Sequence, residues 1–343
     1  MTSLYVDRRG VELRYDGGAL AFYENSGRIG TVPLAPLERI FLRGDVLLHS
    51  SLLGQLGARK VGLIVLSGRR GEASLMLARP HNDAARRLAQ YRLSQDQDFC
   101  LKFAQQLISE KLSESAKFLW ELQAGSRSAP KDLAGAARQI NLLETQVPNQ
   151  ATLASLRGLE GRAAACYFEG LAAHLPPSLK FAGRNRRPPR DPLNAVLSLG
   201  YTLLHADIVL ALYGAGLDPY IGFFHGLSFG RESLAADLIE PLRPSLDRFA
   251  VKLFSSGHLR PENFTAFQPP QQGCLLGKAG RAKFYPLYEE AAEGFRKRIA
   301  QSADDLVSLL RRNQEPGETE AGPEADEDQD SLEEEFAEWD IDT

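Results

Sequence analysis

Val61-Gly62-Leu63-Ile64-Val65-Leu66 is followed, past Pro80 and Asn82, by Asp83-Ala84-Ala85-Arg86-Arg87-Leu88-Ala89-Gln90-Tyr91-Arg92-Leu93. The first stretch is a short continuous apolar run with β-branched residues, the pattern of a buried strand. The second opens a helical period. Leu88, Tyr91, Leu93, Phe99, Phe103, Leu107 and Leu112 recur at mostly three-to-four spacing, with polar residues between them, to about Leu122. The period changes near residue 80, and the domain boundary is placed there.

Upstream, short apolar runs alternate with turn signals. Leu4-Tyr5-Val6, Val11 to Tyr15 and Ala19 to Tyr23 are separated by Arg9-Gly10, Asp16-Gly17-Gly18 and Asn25-Ser26-Gly27. Glu12 and Arg14 alternate with Val11, Leu13 and Tyr15, as in a half-buried strand. Further strands are expected around Ile29 to Leu34, Leu37 to Leu42 and Ala73 to Leu77, with a short helix near Ser50 to Arg59. Downstream, helices are expected at about 130–145, 152–174, 192–215, 232–253 and 282–312. The predicted fold class is α+β: a small β-rich domain over 1–80 and a larger all-α domain over 83–312, which would carry the chemistry. A disordered acidic tail is expected over 313–343, too polar to make a core.

A chain of 343 residues has room for two domains. Cys100, Cys166 and Cys274 are far apart and form no Cys-x-x-Cys, so neither a disulfide framework nor a zinc ribbon is indicated. The N-terminus enters a strand-like segment with no basic-then-apolar leader, and no run is read as a membrane span. A cytoplasmic protein is expected. The net charge of −4 conceals an asymmetry. Asn313 to Thr343 holds 14 acids and no Lys or Arg, leaving a body with 30 acids against 40 Lys and Arg, about +10. A basic body suits a nucleic-acid partner; scattered charge that only aids solubility gives the same count.

Candidate chemistry gathers in the second half. His225 stands in Gly222-Phe223-Phe224-His225-Gly226, and Asp237 and Glu240 follow at i and i+3, which would share one helix face. Leu234, Leu238 and Leu242 mark a buried stripe beside them. Mixed His and carboxylate ligation suits Mg²⁺ or Mn²⁺ and phosphoryl chemistry. The same residues also read as a turn histidine and a solvated acidic face. Glu160, in Leu159-Glu160-Gly161-Arg162-Ala163-Ala164, is either a surface residue or a ligand facing a cleft. Leu175 to Pro192 holds five prolines with Lys180, Arg184, Arg186, Arg187 and Arg190. This is a solvated loop or a phosphate clamp, since Arg matches phosphate in a bidentate way.

The segment around Glu160, then Arg187 to Ala195 with Leu199-Gly200-Tyr201, then Gly216 to His225, then Ser233 to Pro244, resembles the CRISPR-associated integrase family of spacer acquisition in order and spacing. The resemblance runs over roughly residues 1 to 312 and leaves the tail outside. It implies a metal site of Glu160, His225 and Glu240, with Asp237 as a further acidic position, holding Mg²⁺ or Mn²⁺. It implies joining of the 3′-OH ends of short double-stranded DNA fragments to a repeat array, and cutting of branched DNA. It also implies a homodimer formed through the β domain, and a small ferredoxin-like companion protein. The basic loop would hold DNA phosphates. Asn194 would brace that loop or contact DNA, with helix capping as the plain alternative. Two other functions fit the residues without the resemblance: a stand-alone metal-dependent nuclease or phosphodiesterase, and a non-catalytic nucleic-acid scaffold.

Overall fold

The computed structural model describes residues 2–67, 72–76, 81, 83–125, 131–185, 188–267 and 273–313. The tail beyond Asn313 lies outside them, and so do Arg186 and Arg187.

Alternation sets the first strands. In β1 (Thr2–Asp7) and β2 (Val11–Asp16) the apolar residues turn inward; Val11 and Leu13 are buried while Arg14 is exposed. Gly17 and Gly18, both at positive φ, turn the chain into β3 (Ala19–Glu24). Asn25 and Ser26, also at positive φ, close the hairpin to β4 (Gly27–Pro33). β5 (Leu37–Arg43) and the three-residue β6 (Val46–Leu48) lead into α1 (Ser50–Ala58), then β7 (Gly62–Ser67) and β8 (Glu72–Met76).

These strands make two mixed four-stranded sheets, ordered β1-β5-β7-β8 and β4-β3-β2-β6. β1, β5 and β7 run parallel, and β8 returns antiparallel. The β5–β7 layer is buried on both faces. Ile40, Leu42 and Leu63 join Leu13, Leu20 and Leu52 in one core, whereas Phe41, Ile64 and Leu66 point into the helical core. That double burial is why Val61 to Leu66 is continuously apolar rather than alternating.

Helices take over at α2 (Ala84–Gln95), capped by the Asp83 carboxylate, which accepts from Arg86 N at 2.9 Å. One helix was expected to about Leu122. The structure breaks it at Asp96, whose Oδ1 accepts from the amides of Asp98 and Phe99, and α3 (Gln97–Gly125) starts afresh. Next come α4 (Lys131–Glu144), α5 (Leu153–His174) and α6 (Pro192–Gly214). Thr152 caps α5, and Asp191 caps α6 with Pro192 in its first turn. α6 is long and apolar enough to cross a membrane by length and composition, contrary to the reading that no segment is; its side chains are mostly core.

The helix expected over 232–253 is also broken. It consists of α7 (Ser233–Leu238), a 3₁₀ turn over Glu240–Leu242, and α8 (Arg243–Ser255). Pro241 and Pro244 lack the N–H that a continuous helix needs. The all-α description of this half fails as well. β9 (Phe264–Phe267) and β10 (Gly273–Leu276) pair antiparallel, and Cys274 N donates to Pro189 O at 2.7 Å. α9 (Lys278–Arg312) ends the described chain apart from Asn313. It is tied to β1 and α6: Glu289 accepts from Tyr5 Oη and Ser3 N, while Arg296 bonds Glu289 and Asp207.

Candidate active site

Two carboxylates from different elements meet on one ammonium. Lys111, on α3, donates from Nζ to Oε2 of Glu240 at 2.6 Å and also to Oε1 of Glu160 on α5. The other Glu240 oxygen accepts from Arg243 Nε at 2.9 Å. Burial opposes ionisation of Glu240. The Arg243 guanidinium and the Lys111 ammonium outweigh it, and His225 adds in the same direction, so the carboxyl is held down at about 2.

His225 is oriented from beneath. Asp237, fully buried, accepts from Phe223 N (2.7 Å) and Phe224 N (3.0 Å) on Oδ2, and from His225 N (2.8 Å) on Oδ1. His225 Nδ1 lies 2.7 Å from that same Oδ1. A carboxylate already taking three amide protons accepts here too, so Nδ1 carries a proton, and in the neutral ring Nε2 keeps its lone pair. The backbone wraps this carboxylate so closely that a Cβ on Gly222 would lie 2.7 Å from Asp237 Oδ2. Phe223 anchors the loop edge-on against Phe99 and Phe103. Arg157 donates to Phe224 O at 2.5 Å and lies over the Phe224 ring.

Among the described residues, then, Glu160 and Glu240 come together, and His225 is close enough to act on Glu240's charge. No three His, Cys, Asp or Glu side chains among them form a ready ligand cluster. Asp237 and Glu240 do not share a helix face as expected. Asp237 lies in the last turn of α7 and serves the His225 loop; Glu240 begins the 3₁₀ turn and faces Lys111 and Arg243. Both are buried, which excludes the solvated-face reading.

The basic loop divides in two. Lys180 and Arg190 are exposed. Arg184 turns inward, donating to Asn194 Oδ1 at 2.8 Å and to Ser198 Oγ at 3.3 Å, with its guanidinium over the Tyr201 ring. Asn194 is fully buried, so direct DNA contact by it is corrected. It braces the loop, donating to Gly183 O at 2.9 Å and to Asp191 Oδ2 at 2.6 Å and accepting from Asn185 N. The Tyr201 ring also lies beneath Arg243, and its hydroxyl donates to Asp247 Oδ1 at 2.5 Å. The loop and the Glu240 partner therefore share one aromatic ring.

Sequence reasoning missed Lys111, Arg243 and Arg157. Arg243 had a local signal, since it follows Glu240 at i+3. Lys111 and Arg157 had none, because their partners are remote in sequence.

The sequence profile of the family described as CRISPR associated protein Cas1 matches residues 4–290. A CRISPR-associated endonuclease Cas1 of Thermodesulfovibrio yellowstonii is 38% identical over 320 residues, 89% of this chain and 99% of that protein. Another, from Thermus thermophilus, is 34% identical over 264 residues, 76% of each chain. In fold the chain is similar to a Cas1 protein of Thermotoga maritima, with a TM-score of 0.79 at 22% identity, covering 90% of this chain and 97% of that one. It is also similar to a casposase solved with an integration product, with a TM-score of 0.75 at 20% identity, covering 98% and 100%. With the profile match spanning most of its length and such relatives alongside, this chain belongs to the family of CRISPR associated protein Cas1.

Proposed function

We propose that the protein is a CRISPR adaptation integrase and DNA endonuclease, joining 3′-OH ends of short DNA fragments to the repeat array by metal-dependent transesterification. The observation that carries this is the meeting of Glu160 and Glu240 on one cation with an oriented imidazole nearby. Relatives named as Cas1 endonucleases, and a casposase solved with its integration product, supply the reaction class.

The donor set fits a hard divalent cation. Two carboxylate groups that already share a positive charge and a neutral imidazole nitrogen are oxygen and nitrogen ligands of the Mg²⁺ or Mn²⁺ type. Glu160, Glu240 and Nε2 of His225 would hold it, and Asp237 supports it through Nδ1, as carboxylates commonly do behind metal-ligating histidines. When bound, the metal supplies Lewis-acid activation of the scissile phosphate. The protein offers no nucleophile of its own in this scheme. The 3′ oxygen of the fragment forms the new P–O bond, and the repeat strand leaves with its own 3′-OH. Lys180 and Arg190 supply exposed charge for phosphates beside the site; Arg184 and Asn194 hold their loop in shape.

The working form is a homodimer joined through the β half, acting in the cytoplasm with a small ferredoxin-like companion. Supporting this, edge strand β4 exposes nearly every residue, Ile29 among them. One neighbour in fold was solved as a Cas6-RT-Cas1–Cas2 complex. The test is strand joining into a supercoiled repeat plasmid by the wild type, His225→Ala and Glu160→Gln, beside a DNA mobility-shift titration. Joining lost in both variants with DNA affinity retained supports the reading. Nicking without joining by the wild type would make it a stand-alone nuclease.

A further inference from the structure

Lys111 is the feature that the reaction above does not use. Its side chain is 12% exposed, it sits on the central helix α3, and it is the only cation among the described residues that touches both Glu160 and Glu240. Here one ammonium bridges two acids brought in by separate elements, α5 and the 3₁₀ turn before α8. Without a cation, two carboxylates this close repel each other.

We propose that Lys111 is a built-in counter-cation: its ammonium holds Glu160 and Glu240 together in the metal-free protein and gives up both when a divalent cation enters, so it sets the affinity for that cation. This rests on the reading of these two residues as metal ligands. Geometry separates Lys111 from Arg243. Arg243 takes only Oε1 of Glu240 and can remain while Oε2 is used; Lys111 takes Oε2 of Glu240 and Oε1 of Glu160 together, the oxygens that both acids aim at a common point. A lysine ammonium is a compact charge on a flexible four-carbon stem, so it can withdraw without moving its helix. Arg243 is bound differently, as its guanidinium is also held over Tyr201. The metal-free site is thereby kept assembled and neutralised, and metal entry becomes an exchange of one cation for another.

The test uses the full chain and Mn²⁺ as the probe. Calorimetric titration would compare wild type, Lys111→Met, Lys111→Arg and Glu160→Gln, and each would be melted in chelator and in saturating Mn²⁺. Lys111→Met should bind Mn²⁺ on the order of tenfold more tightly, the size expected when charge-assisted bonds no longer have to be broken. It should melt below wild type in chelator, and the gap should close in Mn²⁺. Lys111→Arg, which keeps the charge, should stay near wild type in both. If Lys111→Met does not fold without metal, Lys111→Gln carries the same prediction. Unchanged or weaker Mn²⁺ binding by the neutral variants, with wild type binding and Glu160→Gln not, overturns the exchange and makes Lys111 part of the cradle the metal needs. If Glu160→Gln binds Mn²⁺ as wild type does, the ligand reading itself is wrong and the inference goes with it.

Discussion

Asp237→Asn is the sharpest perturbation of this site. The carboxylate takes four hydrogen bonds, two on each oxygen, from Phe223 N, Phe224 N, His225 N and His225 Nδ1. Asparagine has nearly the same shape but offers one oxygen and one NH₂. If the NH₂ took the Oδ2 position it would face two backbone N–H donors. It therefore takes the Oδ1 position, facing His225 N–H and His225 Nδ1. The first contact becomes donor against donor. The second survives only if the imidazole changes tautomer, so that Nδ1 accepts and Nε2 carries the proton.

The magnitude follows from that count. Bonds to a charged acceptor contribute roughly 1.5–3 kcal/mol each, and neutral ones about 1 kcal/mol. Weakening three at roughly 0.5–2 kcal/mol each and breaking one at roughly 1.5–3 kcal/mol gives a loss of about 3–9 kcal/mol. Part of it is offset because a neutral amide costs less to bury than a carboxylate, and at the lower end of that range the chain stays folded. The functional effect should be larger than the stability effect. A protonated Nε2 cannot ligate, so Mn²⁺ affinity and strand joining should collapse while the chain remains folded. Urea unfolding in chelator gives the first number, and Mn²⁺ titration gives the second. Nitrogen-15 spectra of the histidines report the tautomer directly. A folded Asp237→Asn protein that keeps wild-type Mn²⁺ affinity and strand joining would refute the tautomer argument and the assignment of Nε2 as a ligand.

Three further outcomes are expected. Neutralising Lys180 and Arg190 together should lower the log–log salt slope of DNA binding by up to about 1.4–1.8, at 0.7–0.9 per phosphate contact, whereas Arg184→Ala should mainly loosen the loop; an unchanged slope moves the DNA path elsewhere. Burial opposes ionisation of Glu289, but its hydrogen bonds and attraction to Arg296 win and hold its carboxyl below the usual 4.5; its stabilisation is then full above that value and lost as pH falls through the lower folded one. Glu289→Gln should accordingly be less stable than wild type at neutral pH, with the difference fading as pH falls below 4.5 in urea melts, and a pH-independent difference would reject the linkage. Deleting residues 314–343, which hold 14 acids, should leave folding and Mn²⁺ binding unchanged but strengthen non-specific DNA binding at low salt; equal affinity and slope would exclude competition between tail and DNA.

How much of this was legible depended on the distance over which each signal acts. Period and turn chemistry are local, so the strands before residue 80 and the helices α4 to α6 could be read closely. β6 was missed because three residues carry no period, and β9 and β10 because four residues each carry hardly more. The break between α7 and α8 was written in Pro241 and Pro244 but overridden by the leucine stripe Leu234, Leu238 and Leu242. That stripe is indeed buried, though it spans α7 and the 3₁₀ turn rather than one continuous helix. The break matters for chemistry. A continuous helix would have pointed Asp237 and Glu240 along one face, as like charges in one place. The 3₁₀ turn separates them, giving Asp237 to the histidine loop and Glu240 to Lys111. Neither the Lys111 bond to Glu240 nor the Arg296 bond to Asp207 could be inferred from local pattern, since each closes a long loop of chain; Glu289 and Arg296 are only seven residues apart on α9. Buried charges of this sort are readable only as unpaired residues until the fold supplies their partners, and the partners decide whether a carboxylate is a ligand, a brace or a surface group.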